Sequence, residues 1–175
     1  MVHHNLTLRP YRPEDGDTVA GWFRNERSMR LWSANRYDHF PITGDNINAH
    51  YAEYADNPDF QSFMAWDGEV PVGHFALLRR VAGEVRLLYV VVDDSCRGQG
   101  YGQRMMKCCA EYAFEQFSAE NLTLCVFAQN EIARRCYEKS GFREIPESKI
   151  VSLMNEDWLC LDMALPREEY KHHNG

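Results

Sequence analysis

Long apolar runs are missing from this sequence. No stretch of its 175 residues approaches the roughly 20 consecutive apolar residues that cross a bilayer, and residues 1–6 carry no apolar run of the signal-peptide type. Apolar residues still make up 45% of the chain and charged residues 26%. These proportions are typical of a soluble globular protein, and we expect a cytoplasmic one.

An excess of positive charge is also missing. Lys and Arg number 19 against 26 Asp and Glu, which gives a formal net charge of -7. Nucleic acids and anionic membrane surfaces both favour proteins with a basic face, so the composition argues against either partner. The same charge mildly favours a cationic substrate.

Paired CxxC spacings are absent from the six cysteines, of which three fall in predicted helices. Small buried thiols are common at such positions. We therefore predict free structural thiols without a metal, with a metal site or a disulfide framework as the alternatives. The cysteines are Cys96, Cys108, Cys109, Cys125, Cys136 and Cys160.

Repeats, low-complexity segments and linkers are absent as well. A chain of this length buries roughly 70% of the surface that its unfolded form exposes, which is enough for a core and a cleft. We predict a single domain, residues 1–175, with its core between about residues 6 and 165.

Apolar periodicity predicts both strands and helices. Strand-like runs cover residues 6–12, 60–66, 70–78, 85–92, 122–127 and 158–165. Helical spacing begins at Glu14 and recurs at residues 26–32, 46–55, 101–117 and 130–139. The run 85–92 is apolar almost throughout, as in a central strand buried on both faces. This order predicts an α/β (α+β) fold, with one mixed, mostly antiparallel twisted sheet of about six to seven strands and helices on both faces.

A glycine-rich turn, Arg97-Gly98-Gln99-Gly100-Tyr101-Gly102, joins the central strand to the long helix. Such a turn points several backbone N–H groups at one spot, and the helix macrodipole adds about half a positive charge there. Glycine also accepts a positive φ and lets the backbone approach a phosphate oxygen. The turn is therefore predicted to bind a pyrophosphate, with Arg97 at its mouth.

Three other interpretations of this turn are a P-loop, a Rossmann turn and a turn without a ligand. A P-loop is excluded because no Lys-Ser or Lys-Thr follows the glycines. The Rossmann pattern needs a glycine at position 103, which is Gln103, and normally opens a domain of βαβ units. A glycine-rich turn without a ligand is the remaining alternative.

Two blocks of the sequence resemble one family. Arg97, Gly100 and Gly102, spaced as Arg-x-x-Gly-x-Gly, resemble the acetyl-CoA motif of the GNAT N-acetyltransferases. Asn130 and Tyr137, followed by Gly141-Phe142, are similar to the C-terminal signature of that superfamily.

Weaker similarities at residues 8–10 and 71–73 extend the GNAT resemblance over most of the chain. It implies a GNAT-like fold and acetyl-CoA as the co-substrate. The resemblance also implies that one strand segment pairs through its backbone with the pantetheine arm: Val90, Val91 and Val92. The pyrophosphate would be held by Gly98, Gln99, Gly100, Tyr101, Gly102 and Gln103.

The resemblance assigns Tyr137 as the general acid that protonates the departing CoA thiolate and Asn130 as a cofactor contact. Tyr137 packing a helix against the sheet, and Asn130 capping that helix, are the structural alternatives. The resemblance does not assign a general base, because this chain has Cys125 on the strand where some members of the superfamily carry a carboxylate. Glu84 and His74 are the candidate bases, with Tyr89 and a water relay as further options. The structural alternatives are a solvated turn residue for Glu84 and a core histidine for His74.

The acceptor side is predicted from the N-terminal helices and the loop 33–45, which carry aromatic residues, a histidine and a carboxylate: Trp22, Trp32, Tyr37, Asp38 and His39. Aromatic rings with a carboxylate suit a cationic amine, although core packing explains the tryptophans equally well. The predicted function is acetyl transfer from acetyl-CoA to a primary amine by direct attack. The acceptor is a small molecule, a polyamine, or a protein N-terminus or lysine. A non-catalytic acyl-CoA-binding or sensing module is the alternative, and the oligomeric state stays open, with a homodimer among the options.

Overall fold

The computed structural model describes residues 6–81 and 83–173. Residues 1–5, which enter the signal-peptide argument, and the last two residues of the predicted domain lie outside these ranges. Seven strands of the described chain form one sheet in the order β1-β2-β3-β4-β5-β7-β6. Their bounds are β1 Thr7–Pro10, β2 Phe60–Asp67, β3 Val70–Arg79, β4 Glu84–Val92, β5 Asn121–Phe127, β6 Arg143–Leu153 and β7 Glu156–Pro166.

Neighbouring strands are antiparallel except for β4 and β5, which are parallel. Within the described residues the helices are α1 Gly16–Ala20, α2 Glu26–Ser33, α3 Gly44–Ala52, α4 Tyr101–Glu115, α5 Glu131–Lys139 and α6 Arg167–His173. Short 3-10 turns lie at Pro13–Asp15 and Asp94–Cys96. The predicted fold class, a mixed and mostly antiparallel sheet with helices, is confirmed.

Side-chain caps fix where two of the N-terminal helices begin. Asn25 Oδ1 accepts a hydrogen bond from the Ser28 amide at 2.8 Å at the start of α2. Thr43 Oγ1 accepts one from the Asn46 amide at 3.4 Å at the start of α3. Such caps supply acceptors for amides of the first helical turn, although the Asn46 amide also donates to the Thr43 carbonyl at 3.1 Å.

Alternate side chains of the sheet pack into two separate apolar clusters. On one face Phe63 and Ala65 of β2 join a core that contains Met105 of α4 and Tyr137 of α5. On the other face Met64, between them in the sequence, joins a core formed with α1, α2 and α3. The period of two along β2 therefore divides the molecule into an α4–α5 side and an α1–α3 side.

The parallel pair β4 and β5 is in contact over a short distance. Its register begins at Glu84 and Asn121 and ends at Arg86 and Thr123. Beyond that point β4 keeps its ladder with β3, interrupted by an irregularity, and Tyr89 adopts a positive φ of 52°. The second half of β4 thus has a backbone edge that β5 does not pair.

The position of β4 at the centre of the sheet is confirmed, but the predicted burial of both faces is wrong for most of the strand. Val85 and Leu87 are buried, while the other residues of β4 are half-buried. The separation from β5 explains the difference, because a strand that loses a neighbour also loses the side chains that would cover it.

The prediction of six free thiols is wrong for two of them. Cys125 on β5 and Cys160 on β7 form a disulfide, while the other four cysteines are free. The sheet order places β7 beside β5, so residues 35 apart in the sequence become neighbours. No local spacing announces such a pair.

Candidate active site

The glycine turn leads into α4 with backbone amides that have no partner. Gly98 and Gly100 have φ values of 77° and 79°, and Gly100 is the N-cap of α4 without any side-chain cap. The next amide in a bond is that of Arg104, which donates to the Gly100 carbonyl at 3.2 Å. Between residues 98 and 103 no amide donates to another described residue, so the turn offers a set of convergent donors to an anion.

The three positions in the turn require glycine for different physical reasons. A Cβ on Gly98 or Gly100 would meet no described atom within 4 Å, so these two positions require glycine for their positive φ and face open space. A Cβ on Gly102 would lie 2.9 Å from Cys136 Sγ. Gly102 therefore lets the start of α4 pack against α5, which carries Tyr137.

Charged and polar side chains surround the turn. Arg97 Nε lies 2.8 Å from Asp94 Oδ1, and Asp94 also pairs with Arg24. Tyr101 donates from its hydroxyl to Asp67 Oδ2 at 2.6 Å. Half of the Arg97 side-chain surface is accessible. Its guanidinium is therefore available to an anion at the turn while it pairs with Asp94.

The valines predicted to meet the pantetheine arm lie on the unpaired half of β4. Val90 and Val92 pack toward the α4–α5 side, and Val91 packs toward the α1–α3 side. Val91 is opposite His74 and Val92 is opposite Gly73 in the ladder with β3. The other backbone edge of this segment faces the gap between β4 and β5.

Tyr137 is brought to the same side of the sheet as the glycine turn. Its side chain is 7% exposed, its ring contacts that of Phe142 at 5.9 Å, and its hydroxyl has no hydrogen bond to a described residue. Burial raises the pKa of Tyr137, with smaller contributions from Cys136 and Cys109. A phenol with its ordinary pKa near 10 is already protonated at neutral pH, as a proton donor must be, and the burial of Tyr137 keeps it so.

Asn130 occupies the N-cap of α5, where its Oδ1 accepts a hydrogen bond from the Ala133 amide at 3.3 Å. The capping interpretation of Asn130 thus matches the structure. At the other end of α5, Gly141 follows the helix with a φ of 95°, as the sequence predicts for a helix C-terminus.

The candidate bases are not brought together. Glu84 begins β4, and its Oε1 accepts a hydrogen bond from Thr123 Oγ1 at 2.9 Å. The strand has nine residues, so at about 3.3 Å per residue Glu84 lies roughly 26 Å from the end that carries Val92. The distance removes Glu84 from the site.

His74 lies beside the site but inside the protein. It is completely buried on β3, with Nε2 2.6 Å from the Tyr51 hydroxyl. Burial lowers the pKa of His74 to about 3, so the imidazole is neutral and enclosed.

An aromatic cluster covers the α1–α3 side of β4, and we define it as Trp32, Tyr37, His50, Tyr51 and Tyr89. The Trp32 ring lies 6.0 Å from Tyr37 and 5.6 Å from Tyr89. His50 Nε2 lies 2.9 Å from the Tyr89 hydroxyl. Sequence reasoning singles out neither His50 nor Tyr51, because both stand in a helix whose pattern shows packing and no chemistry.

The other residues predicted for the acceptor side divide into two groups. Trp22 packs against the core of the α1–α3 side. Asp38 and His39 pair with each other in the exposed loop, and the Asp38 side chain is 93% accessible. The structure therefore brings aromatic residues to the acceptor side and turns the predicted carboxylate away from them.

Residues 6–81 and 83–173 contain no group of three or more His, Cys, Asp or Glu arranged to hold a metal ion. None of the helices in the same ranges combines the length and apolar character that a membrane crossing needs.

A parted sheet with free amides at one mouth of the gap and a buried tyrosine beside it fits the diphosphate and thioester of an acyl-CoA. The fold and site thus define an acyl-CoA-dependent N-acyltransferase. The family model described as "Acetyltransferase (GNAT) family" matches residues 17–142, which is more than half of the chain, and the chain belongs to that family. It is an acetyl-CoA-dependent N-acetyltransferase, with acetyl-CoA as co-substrate and an amine as acceptor.

Solved structures agree with this fold. Spermidine N-acetyltransferase from Vibrio cholerae, in complex with CoA and spermine, is 17% identical with a TM-score of 0.81, over 95% of this chain and 98% of that chain. A point mutant of the Vibrio cholerae enzyme is 16% identical with a TM-score of 0.79, over 98% and 99% of the two chains. A chimera of that enzyme with hSSAT is 16% identical with a TM-score of 0.77, over 96% of this chain and 99% of that chain.

Proposed function

We propose that the glycine turn holds the pyrophosphate of acetyl-CoA through the amides of residues 98–103, with Arg97 supplying a positive charge. Asn130 supports this side by capping the helix that packs on the turn. The pantetheine arm then lies along Val90, Val91 and Val92, whose backbone edge β5 leaves unpaired. The free amides carry this proposal, because buried or converging donors without partners indicate a ligand.

Tyr137 is proposed as the general acid. The amine nitrogen attacks the thioester carbonyl carbon directly, the carbon–sulfur bond breaks, and Tyr137 gives its hydroxyl proton to the departing thiolate. The tyrosine is protonated at neutral pH because the ordinary pKa of a phenol is near 10, and burial raises that of Tyr137 further. The helix that carries Tyr137 packs against the glycine turn, with Cys136 next to Gly102. This packing places the proposed acid near the proposed acetyl-CoA site.

The amine must lose a proton during the reaction, and we propose that water in the gap accepts it. His74 is enclosed and Glu84 is distant, so neither contacts an acceptor directly. Deprotonating an amine with a pKa near 10.4 costs about 4.6 kcal/mol at pH 7, whereas an α-amine with a pKa near 8 costs about 1.4 kcal/mol. A site without a strong base favours the second kind of amine.

The test of Tyr137 is thiol release from acetyl-CoA with an amine panel, comparing the parent with Tyr137→Phe. The general-acid role predicts a loss of about 10²- to 10⁴-fold in kcat, with unchanged CoA affinity by calorimetry. Tyr170→Phe is the matched control, since Tyr170 contacts Phe114 near the far end of α4. Binding of CoA without release for any amine would instead identify a non-catalytic acyl-CoA-binding module.

Spermine in the Vibrio cholerae structure makes a polyamine one candidate acceptor. The sequence offers a small molecule, a polyamine, or a protein N-terminus or lysine. The cytoplasmic location, a homodimer, a single domain and the absence of a nucleic-acid partner stay predictions from the sequence.

A further inference from the structure

Three polar side-chain atoms in the aromatic cluster are buried without a hydrogen-bond partner: Trp32 Nε1, the Tyr37 hydroxyl and His50 Nδ1. The role of His50 Nδ1 depends on the tautomer, whereas Trp32 Nε1 and the Tyr37 hydroxyl are donors, and neither meets an acceptor among the described residues. Tyr37 is 7% exposed, so water does not readily replace the missing partner. Buried donors are nearly always paired in proteins, and this pair of exceptions calls for an acceptor atom from outside the chain.

Both donors lie beside the reacting end of the proposed acetyl-CoA site. Trp32 and Tyr37 are stacked with an interplanar angle of 6°, and Trp32 also contacts Tyr89. Tyr89 directly precedes Val90 on β4, and its side chain shares the α1–α3 side with Val91. The two donors therefore lie close to the segment of β4 along which we propose that the thioester binds.

The charges around these donors do not suit a polycation. Asp38 points into solvent and pairs with His39. Glu53 lies 3.7 Å from His50 Nδ1, and its side chain is 65% accessible, so it stands at the outer edge of the cluster. Burial first, and then the positive charge of Arg36, lower the pKa of His50. The cluster thus combines neutral rings and two free donors with one nearby cation, Arg36, and one carboxylate at its outer edge, Glu53.

We infer that the acceptor carries a carbonyl or carboxylate oxygen next to its amine, as an α-amino-acyl group does, and that Trp32 and Tyr37 donate hydrogen bonds to that oxygen. This inference rests on the proposed function. It fits a site without a strong base, because the neighbouring carbonyl lowers the pKa of the amine toward that of an α-amine.

The experiment compares kcat/KM for four amines with acetyl-CoA: L-alaninamide, L-alanine, isopropylamine and spermidine. Isopropylamine keeps the amine carbon and methyl group of alaninamide and replaces the carboxamide with a second methyl group. Comparison of alanine with alaninamide separates a free amino acid from a peptide N-terminus. Each amine is assayed with the parent, Tyr37→Phe, Trp32→Phe and Tyr51→Phe. Calorimetric titration of alaninamide into the complex with CoA measures binding without turnover.

We expect alaninamide or alanine to be preferred over isopropylamine and spermidine. Tyr37→Phe and Trp32→Phe should each lower kcat/KM for the preferred amine about tenfold and leave isopropylamine unchanged. The comparison across variants cancels the different pKa values of the amines. Tyr51→Phe removes a hydroxyl that His74 already pairs, so it should lower Tm and leave the preference between amines as in the parent.

Tyr37→Phe also has a stability readout. Because the Tyr37 hydroxyl has no partner in the described chain, its removal should not lower Tm. A preference for spermidine or isopropylamine, or a Tyr37→Phe variant with unchanged kcat/KM for all amines, would overturn the inference while acetyl transfer stands. Absence of thiol release with every amine would contradict the proposed function itself.

Discussion

Two histidines on the α1–α3 side of the sheet show how burial sets the chemistry of one residue type. His74 is enclosed on β3 against Tyr51, and burial lowers its pKa to about 3. His50 contacts Tyr89, and burial lowers its pKa as well. Both imidazoles are therefore neutral at pH 7, which leaves Arg36 as the positive charge that acts on Tyr89 and His50.

The buried His74 predicts a pH dependence of stability. Its folded pKa lies below the unfolded value of about 6.5, so the unfolded chain binds a proton that the folded chain refuses. Stability is then lost as the pH falls from about 6.5 toward 3, by at most about 1.4 kcal/mol per pH unit for this residue. Urea unfolding of the parent and of His74→Gln measures the effect.

The unfolding free energies of the parent and His74→Gln are best compared between about pH 6.5 and 5, above the range in which most carboxylates titrate. Glutamine keeps a polar group near Tyr51, and His50 titrates in both proteins. We expect a steeper loss of unfolding free energy in the parent. Equal slopes would mean that the folded protein binds a proton at His74.

Single residues differ in how far the sequence reveals them. Tyr137 follows from its spacing to Asn130 and Gly141, since all three belong to one local block. The contact of His50 with Tyr89 joins residues 39 apart, and no local pattern encodes it. Glu84 is a different case, because the rise per residue of a strand already separates it from the glycine turn.

At the scale of elements, the strand–turn–helix unit of β4 and α4 makes a separate prediction. Gly100→Ala places a Cβ on a residue with a φ of 79°, which costs about 1–2 kcal/mol, and it puts that Cβ into the open space before the free amides. We expect the added Cβ to obstruct a phosphate at the free amides and the dissociation constant for CoA to rise about tenfold or more, which corresponds to about 1.4 kcal/mol of lost binding. Calorimetric titration with CoA checks it.

Gly83→Ala is the matched control for this substitution. Gly83 has a φ of 84°, its Cβ would meet Glu120 Cγ at an ordinary 3.4 Å, and it precedes the end of β4 that is remote from the turn. It should lose similar stability and keep the parental CoA affinity. A Gly100→Ala variant that binds CoA as the parent does would place the pyrophosphate elsewhere.

Most elements follow from apolar periodicity, and the exceptions have physical causes. β6 has a single buried residue, Leu153, so an apolar pattern cannot define its bounds. β4 keeps an apolar sequence through the half that parts from β5, where a ligand rather than a strand can cover the backbone. The disulfide of Cys125 and Cys160 depends on sheet order, which no spacing in the sequence expresses.

At the scale of the whole molecule, the proposed binding residues for the two substrates lie on opposite faces of the sheet. The glycine turn and Tyr137 belong to the α4–α5 side, and the aromatic cluster belongs to the α1–α3 side. In the proposed function, the gap where β4 and β5 part is the route between these sides. An acetyl group can therefore pass directly from one substrate to the other when both are bound.

This arrangement predicts sequential kinetics without an acetylated enzyme. The alternative, a cysteine that carries the acetyl group, needs a thiolate. Burial raises the pKa of Cys108, Cys109 and Cys136, and the disulfide removes two further thiols. Initial rates at varied acetyl-CoA and amine should give intersecting reciprocal plots, and intact-mass measurement after incubation with acetyl-CoA alone should find no acetyl adduct.

Cys96 is the fourth free cysteine of the described residues, and it lies half-buried in the 3-10 turn after β4. Cys96→Ser should therefore keep the parental kcat, since direct attack requires no nucleophile from the protein. Parallel reciprocal plots, or an acetyl adduct that disappears in Cys96→Ser, would replace direct transfer with a two-step route. In that case the gap between β4 and β5 would admit the two substrates in turn, and the opposed positions of the turn and the aromatic cluster would need a different explanation.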